Sequence, residues 1–213
     1  MLNKGIENVL QFRLSRKLLV NLELFDRIAS SDEIRDVVTR YSWIKPTIKN
    51  YDLIESALKE HNANKILDIG CGSGYWTYQL NKMGFDAEGI KTDMFSAKDG
   101  VDSINLCDKC RYGDFYEMSD SELCRYDTFY VSWPPYQLPL ATDVFKKFLS
   151  LDNIKNYVFI GELGGCTGDT ELYDLIMDSQ FINDNNLKVK EYFELESFSG
   201  IHDYLIIVQK KES

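Results

Sequence analysis

Five groups of residues in this chain have types and spacings that can do chemistry. Asp68-Ile-Gly70-Cys71-Gly72-Ser-Gly74 sets three glycines at alternate positions behind an acid. Glycines let a backbone approach a ligand closely, and a helix opening behind them presents unpaired N–H groups to an anion. A tight strand–helix turn without a ligand would use the same residues. Val131-Ser-Trp133-Pro134-Pro135-Tyr136 places a rigid double proline between two aromatic rings, on which a planar group can stack. A packed strand exit is the plainer alternative. Glu162, in Gly161-Glu-Leu-Gly-Gly-Cys-Thr-Gly168, can accept a proton or hold an amine. His202, in Gly200-Ile-His-Asp203, is the natural proton acceptor near neutral pH. Both are equally at home as ordinary loop residues. Cys107-x-x-Cys110 invites a zinc or redox reading. His61, His202 and Cys124 supply no second close pair, so tetrahedral ligation is incomplete and no metal is expected.

These residues need a scaffold, and the hydrophobic pattern describes one. Residues 1–60 read as a helical N-terminal extension. Ile6, Val9, Leu10, Leu14, Leu18, Leu22, Phe25 and Ile28 recur at helical steps, Ser30-Ser-Asp-Glu33 caps a second helix through about Arg40, and Pro46-Thr47 starts a third reaching about His61. From residue 61 to 213 the rhythm becomes alternating strands and helices. Strands are expected at Lys65–Ile69, Asp86–Ile90, Asp127–Ser132, Tyr157–Ile160, Leu187–Phe193 and Asp203–Gln209. Helices are expected at Tyr75–Lys82, Pro139–Leu149 and Thr170–Asp178, while residues 92–112 are poorly patterned. Such alternation predicts an α/β fold with a doubly wound, mostly parallel sheet. The glycine turn, Trp133, Glu162 and His202 would then share one mouth, because ligands of open α/β sheets sit beyond the carboxyl ends of the strands. Tyr41 and Trp43, just before that domain, could either cover this mouth or pack into the core.

A chain of 213 residues suits one such domain with a small extension. It carries 34 Asp and Glu against 24 Lys and Arg, a formal charge of −10. That balance argues against a nonspecific nucleic-acid coat or a polybasic membrane binder. Met1 to Gly5 lack the start of a signal-peptide pattern. The apolar stretch Lys17–Phe25 is broken by Asn21 and Glu23 and is too short to span a bilayer. With five cysteines, an odd number, the expectation is a cytoplasmic protein with reduced thiols and no membrane association.

The glycine spacing is informative about cofactor class. A dinucleotide-binding turn places its third glycine three residues after the second. Here it comes two after, and Asp-x-Gly-x-Gly-x-Gly resembles the first motif of class I S-adenosylmethionine-dependent methyltransferases. That resemblance implies a seven-stranded Rossmann-like sheet with an antiparallel final strand and S-adenosylmethionine as cofactor. It also implies a loop of Asp68, Gly70, Cys71, Gly72 and Gly74 cradling the cofactor's amino-acid part, with the acid near its ammonium. In that family an acid ending the second strand holds the ribose hydroxyls. Lys91 stands at that position here, a departure, since lysine accepts no hydrogen bond. Asp93, two residues on, is the substitute. Asp114 looks like the third-strand acid near the adenine amine.

Trp133-Pro134-Pro135-Tyr136 resembles the [Asp/Asn/Ser]-Pro-Pro-[Tyr/Phe/Trp] motif of amino-methyltransferases. There the first side chain and a prolyl carbonyl accept from the target NH₂ and the aromatic ring stacks on it. Trp133 departs from the pattern, because indole donates but does not accept, and strand alternation turns Ser132 the other way. More narrowly, the chain resembles a set of methyltransferase-like proteins over about residues 41–208. The shared markers are Ser42-Trp43-x-x-Pro46, Gly74-Tyr75-Trp76, Trp133-Pro-Pro-Tyr136, Gly161-Glu162, Gly165-Cys-Thr-Gly168 and Gly200-Ile-His-Asp203.

The expected function is therefore methyl transfer to a nitrogen or oxygen on a small molecule or an exposed macromolecular group. Trp133, Pro134, Pro135 and Tyr136 would position the acceptor, and Glu162 and His202 would handle the proton. The competing expectation, favoured by Lys91 and Trp133, is a noncatalytic binding subunit acting through a partner protein. A nicotinamide-dependent oxidoreductase is disfavoured by the glycine spacing.

Overall fold

The computed structural model describes residues 41–92, 105–162, 164–192 and 195–211. The helices expected over 6–28 and 30–40, and Asp93, lie outside the described residues. In chain order the elements are α1 (Ile48–Glu60), β1 (Lys65–Ile69), α2 (Tyr75–Lys82), β2 (Asp86–Lys91), β3 (Cys110–Tyr112), a 3₁₀ turn (Phe115–Glu117) and α3 (Asp120–Leu123). There follow β4 (Thr128–Ser132), α4 (Leu140–Ser150), β5 (Asn156–Gly161), α5 (Thr170–Met177), α6 (Ser179–Asp184), β6 (Leu187–Tyr192) and β7 (Tyr204–Lys210).

The seven strands form one sheet in the order β3-β2-β1-β4-β5-β7-β6. All neighbouring pairs from β3 to β5 are parallel, and β7 runs antiparallel to both β5 and β6. The order in which the chain lays down strands reverses at β1, flanked by β2 on one side and β4 on the other. Ligands of open α/β sheets bind at such a switch point.

Burial explains why the central strands read as unbroken apolar runs. Every residue of β5 and four of five in β1 and β4 are buried, since helices cover both faces. Edge strand β6 alternates instead, with Lys188 and Glu191 among its less buried residues. On one face α1 and α2 bring Ile54, Leu58, Tyr75, Trp76 and Leu80 against Ile66, Tyr130, Val158, Ile160 and Leu205. On the other, α4 brings Leu140, Val144, Phe145 and Phe148 against Leu67, Phe129, Val131 and Tyr157. Consecutive residues Phe129, Tyr130 and Val131 thus feed opposite cores, as the pleat requires.

The structure corrects the sequence reading around residue 110. Cys110 opens a short edge strand, β3, within the stretch that showed no pattern, because three residues on an edge carry too little alternation to register. Helix α6 also escaped notice. It buries no residue fully, so its apolar period is weak.

The segment leading into α1 is tied to the glycine turn, where Ser73 Oγ donates to Tyr41 carbonyl at 2.7 Å, and to the loop before β7. Thr47 caps α1 by accepting from Asn50 N–H. Asn50 is fully buried, donates to the carbonyls of Lys45 and Glu196 at 2.8 Å each, and accepts from Glu196 N–H at 2.8 Å. One amide thereby joins the start of α1 to the loop before β7.

Candidate functional site

The glycine turn follows β1 directly. Gly70, Gly72 and Gly74 all hold positive φ, at 78°, 52° and 78°, a region that costs other residues about 1–2 kcal/mol. The N–H groups of Gly70 and Cys71 both donate to Ile90 carbonyl, pinning the turn to β2. Gly74 N–H donates to Cys71 carbonyl, and Tyr75 N–H to Ser73 Oγ. The amides of Gly72 and Ser73 donate to nothing among the described residues. A Cβ on Gly72 would meet nothing within 4 Å, whereas one on Gly74 would stand 2.7 Å from Cys110 Sγ. The middle glycine therefore faces open space and the last faces packed protein.

Asp68 lies under this turn and is 1% exposed. Its Oδ2 accepts from Thr77 Oγ1 of α2 at 2.6 Å, and its Oδ1 has no partner among the described residues. Burial raises its carboxyl to about 7, although the Thr77 hydroxyl opposes the shift. Tyr130, its register partner on β4, is also buried with an unpartnered hydroxyl. Two orphaned polar ends on one face of adjacent strands, beside a turn with two undonated amides, make a place for a ligand bearing both charges.

The other expected cofactor contacts are mixed. Cys71 turns inward: its thiol and that of Cys110 both fall within 2.7 Å of where a Gly89 Cβ would stand, alongside Thr77 Oγ1. Cys110 Sγ and Cys107 Cβ likewise both lie within 3.3 Å of where a Gly74 Cβ would stand, so the three cysteines cluster, and hydrogen bonding to Cys110 together with burial pushes the Cys107 thiol up. Among the described residues no group of three His, Cys, Asp or Glu side chains is arranged to hold a metal ion. Lys91 is buried at the end of β2, its ammonium 5.7 Å from the centre of the Tyr112 ring. Asp114 caps the 3₁₀ turn by accepting from Tyr116 N–H at 2.9 Å.

At the end of β4, Trp133 holds a φ of 48°, rare for a bulky residue. Its backbone N–H donates to Ile160 carbonyl at 2.8 Å, and its ring stacks on Trp43 with centroids 5.1 Å apart and planes 17° apart. Trp43 is 47% exposed and Tyr136 60%. The prolyl carbonyls, which the sequence offered to an acceptor, already receive protein donors: Gly168 N–H at Pro134 and Leu138 N–H at Pro135. Gln137 N–H returns to Gly168 carbonyl, so the double-proline turn is stapled to the loop after β5.

Glu162 and His202 do meet, but through backbone. His202 N–H donates to Glu162 Oε1 at 2.8 Å and Cys166 N–H to Oε2 at 3.2 Å. Partial burial works to raise the Glu162 carboxyl, but these two amides outweigh it and hold the group below its ordinary value. Glu162 is thus a clamp between two loops, and the His202 side chain is exposed.

The residue missed in the sequence is Asp203. It is 4% exposed, and its Oδ1 accepts from the Trp133 indole N–H at 2.8 Å. Burial raises its carboxyl to about 7, the Trp133 indole and the adjacent Ser197 hydroxyl, which accepts from Asp203 N–H, opposing and the Glu162 charge adding to the shift. The sequence marked it only as the end of Gly200-Ile-His-Asp203 and gave it no role, because its partner lies 70 positions away.

An O-methyltransferase from Bacillus cereus, in complex with SAH, aligns over 89% of this chain and 100% of its own, at 12% identity and a TM-score of 0.51. The methyltransferase domain of a bacterial protein, CtHen1-C, aligns over 76% and 97%, at 15% identity and a TM-score of 0.50. The fold is that of the class I methyltransferases. No sequence-family pattern matches the chain, and no curated protein does. Among the described residues no helix is long and apolar enough to cross a membrane.

Proposed function

We propose that the chain is an S-adenosylmethionine-dependent methyltransferase. Its acceptor is a nitrogen or oxygen on a small molecule or an exposed macromolecular group, and its kin are methyltransferase-like proteins sharing the Trp133-Pro-Pro-Tyr136 turn. The observation that carries this is the glycine turn at the switch point of a methyltransferase fold. Two undonated amides at the α2 N-terminus suit a carboxylate, and the orphaned Asp68 Oδ1 suits an ammonium. Open space at Gly72 admits close approach. These features fit the amino-acid end of S-adenosylmethionine, which when bound supplies a sulfonium-activated methyl group.

The chain itself must orient the acceptor, exclude water and take up one proton. Gly70, Gly72, Gly74 and Asp68 hold the amino-acid end, with Asp93 and Asp114 toward the nucleoside end; Cys71 contributes backbone only. Trp133, Pro134, Pro135 and Tyr136 form the acceptor wall. Glu162 shapes it by clamping its two loops, with the exposed His202 ring at its rim. The setting proposed is cytoplasmic, with residues 1–60 as an extension to a catalytic domain of residues 61–213.

Titration calorimetry with S-adenosylmethionine and S-adenosylhomocysteine tests the reading. Micromolar binding of both is expected, and absence of binding would refute it. Buried Lys91 favours a second reading, because a lysine cannot accept from a ribose diol. A noncatalytic subunit acting through a partner protein would bind the cofactor without consuming it, or not bind at all.

A further inference from the structure

We propose that Asp203 is a catalytic residue that recognises the methyl acceptor, its Oδ2 receiving an N–H or O–H carried on a planar ring held against the tryptophan pair. This rests on the methyltransferase reading and assigns the proton-accepting role to Asp203 in place of His202.

Position comes first. Asp203 immediately precedes β7, whose Tyr204 pairs with Gly161 at the end of β5. Trp133 immediately follows β4, so the indole–carboxyl contact bridges the carboxyl ends of β4 and β5, where α/β sheets present ligands. Asp203 lines a cleft of about 370 Å³ with Leu195, Ser197, Ile201, His202 and Tyr204.

Hydrogen-bond accounting comes second. The indole N–H fills Oδ1, which fixes the plane of the carboxyl group and leaves Oδ2 buried with no donor among the described residues. A buried acceptor left empty is destabilising, and the native structure retains it. The neighbouring charge is another carboxylate, Glu162, which raises rather than relieves the cost. A ligand N–H or O–H relieves it. Trp133 has no acceptor of its own, and through its indole it positions one on the neighbouring loop. Trp133, in contact with the carboxyl, and Trp43 stacked on it supply flat apolar surface beside Asp203, which selects a planar carrier.

The chemistry balances. The acceptor's lone pair forms the new bond to the methyl carbon, and the bond from that carbon to sulfur breaks with its electron pair left on sulfur. The N–H or O–H proton then moves to Asp203 Oδ2, giving a neutral carboxyl group.

Ligand-observed NMR titration of the full chain with aniline, phenol and toluene tests the assignment. The three rings differ only in NH₂, OH or CH₃. Aniline, phenol or both should bind at least tenfold more tightly than toluene at pH 8, and which one does so separates nitrogen from oxygen acceptors. The advantage should shrink as pH falls through about 7, where Asp203 takes a proton. Among the described residues Glu162, held ionised by two amides, His202 and Tyr204 are the other ionisable side chains around it, so the pH step must also vanish in D203N. In that variant the indole claims the amide oxygen and the NH₂, a neutral donor, replaces the charged acceptor, so the advantage over toluene falls severalfold and no longer varies with pH.

If D203N does not fold, W133F reads the same contact. Without the indole the carboxyl turns freely, and the advantage falls severalfold. Equal binding of the three rings, no binding of any, or an advantage retained in the variants would overturn the proposal. Calorimetry with S-adenosylhomocysteine on the same samples is scored separately: its absence would sink the methyltransferase reading, whatever the rings do.

Discussion

Replacing Asp68 with asparagine should make the protein more stable while weakening its hold on cofactor. Burial raises the Asp68 carboxyl from 3.8 to about 7. At about 1.4 kcal/mol per unit, that is on the order of 4 kcal/mol of ionisation cost in the folded state at pH 8. Between about pH 4 and 7 the folded protein keeps a proton that the unfolded chain has released, so stability falls as pH rises through this window and is flat above it. The asparagine side chain carries no such cost, and its amide oxygen still accepts from the Thr77 hydroxyl. Its NH₂ must find a place beside Tyr130, which takes back about 1–2 kcal/mol if unsatisfied.

The expected net gain for D68N is about 2 kcal/mol or more at pH 8, shrinking toward zero at pH 4.5. Urea unfolding of both proteins at the two pH values measures it, and the difference between them cancels the similar titration of Asp203. In calorimetry the same variant should bind S-adenosylhomocysteine at least tenfold more weakly, because its ammonium loses a charged partner. A variant no more stable than the parent at pH 8, or stabilised equally at both pH values, would refute the burial argument. Undiminished binding would refute the role given to Asp68.

Three other expectations follow from the contacts. G72A should lose tenfold or more in S-adenosylhomocysteine affinity for a stability cost of about 1–2 kcal/mol from its φ of 52°; calorimetry and chemical unfolding together separate these, and unchanged affinity would mean the turn does not approach the ligand. W133F removes the donor that restrains the Asp203 carboxyl, so that group should titrate still higher. Stability at pH 8 should then fall by about 1.5–3 kcal/mol, with a smaller loss at pH 5, where a neutral acid needs the indole less. N50A strands the Lys45 and Glu196 carbonyls and the Glu196 N–H, and should cost about 2–4 kcal/mol in denaturant unfolding, with a loss under 1 kcal/mol counting against Asn50 as the joint between α1 and the β7 loop.

Local chemistry was legible from the sequence wherever it was dictated by neighbours along the chain. The glycine turn needs positive φ at alternate residues, a demand only glycine meets cheaply, so its letters stand together at 70, 72 and 74. Central strands such as Asn156–Gly161 read as apolar runs because both faces are covered, and the strand–helix alternation implied a mostly parallel sheet. The presence of Glu162 and His202 near one mouth was also legible, since both follow or precede strands at the same end of the sheet.

What Glu162, His202 and Asp203 do there was decided only by tertiary structure. Glu162 is taken up by two backbone amides from different loops, whereas Asp203, like Asp68, keeps one oxygen without a partner among the described residues. The Pro134 carbonyl is occupied by Gly168 N–H, from a loop that arrives only after β5. Cys71, a member of the glycine turn by sequence, turns its thiol away toward Gly89 and Cys110. The reason is common to all these cases. Backbone conformation is settled within a few residues, whereas burial, desolvation and the pairing of each polar atom depend on segments that meet only when the sheet closes.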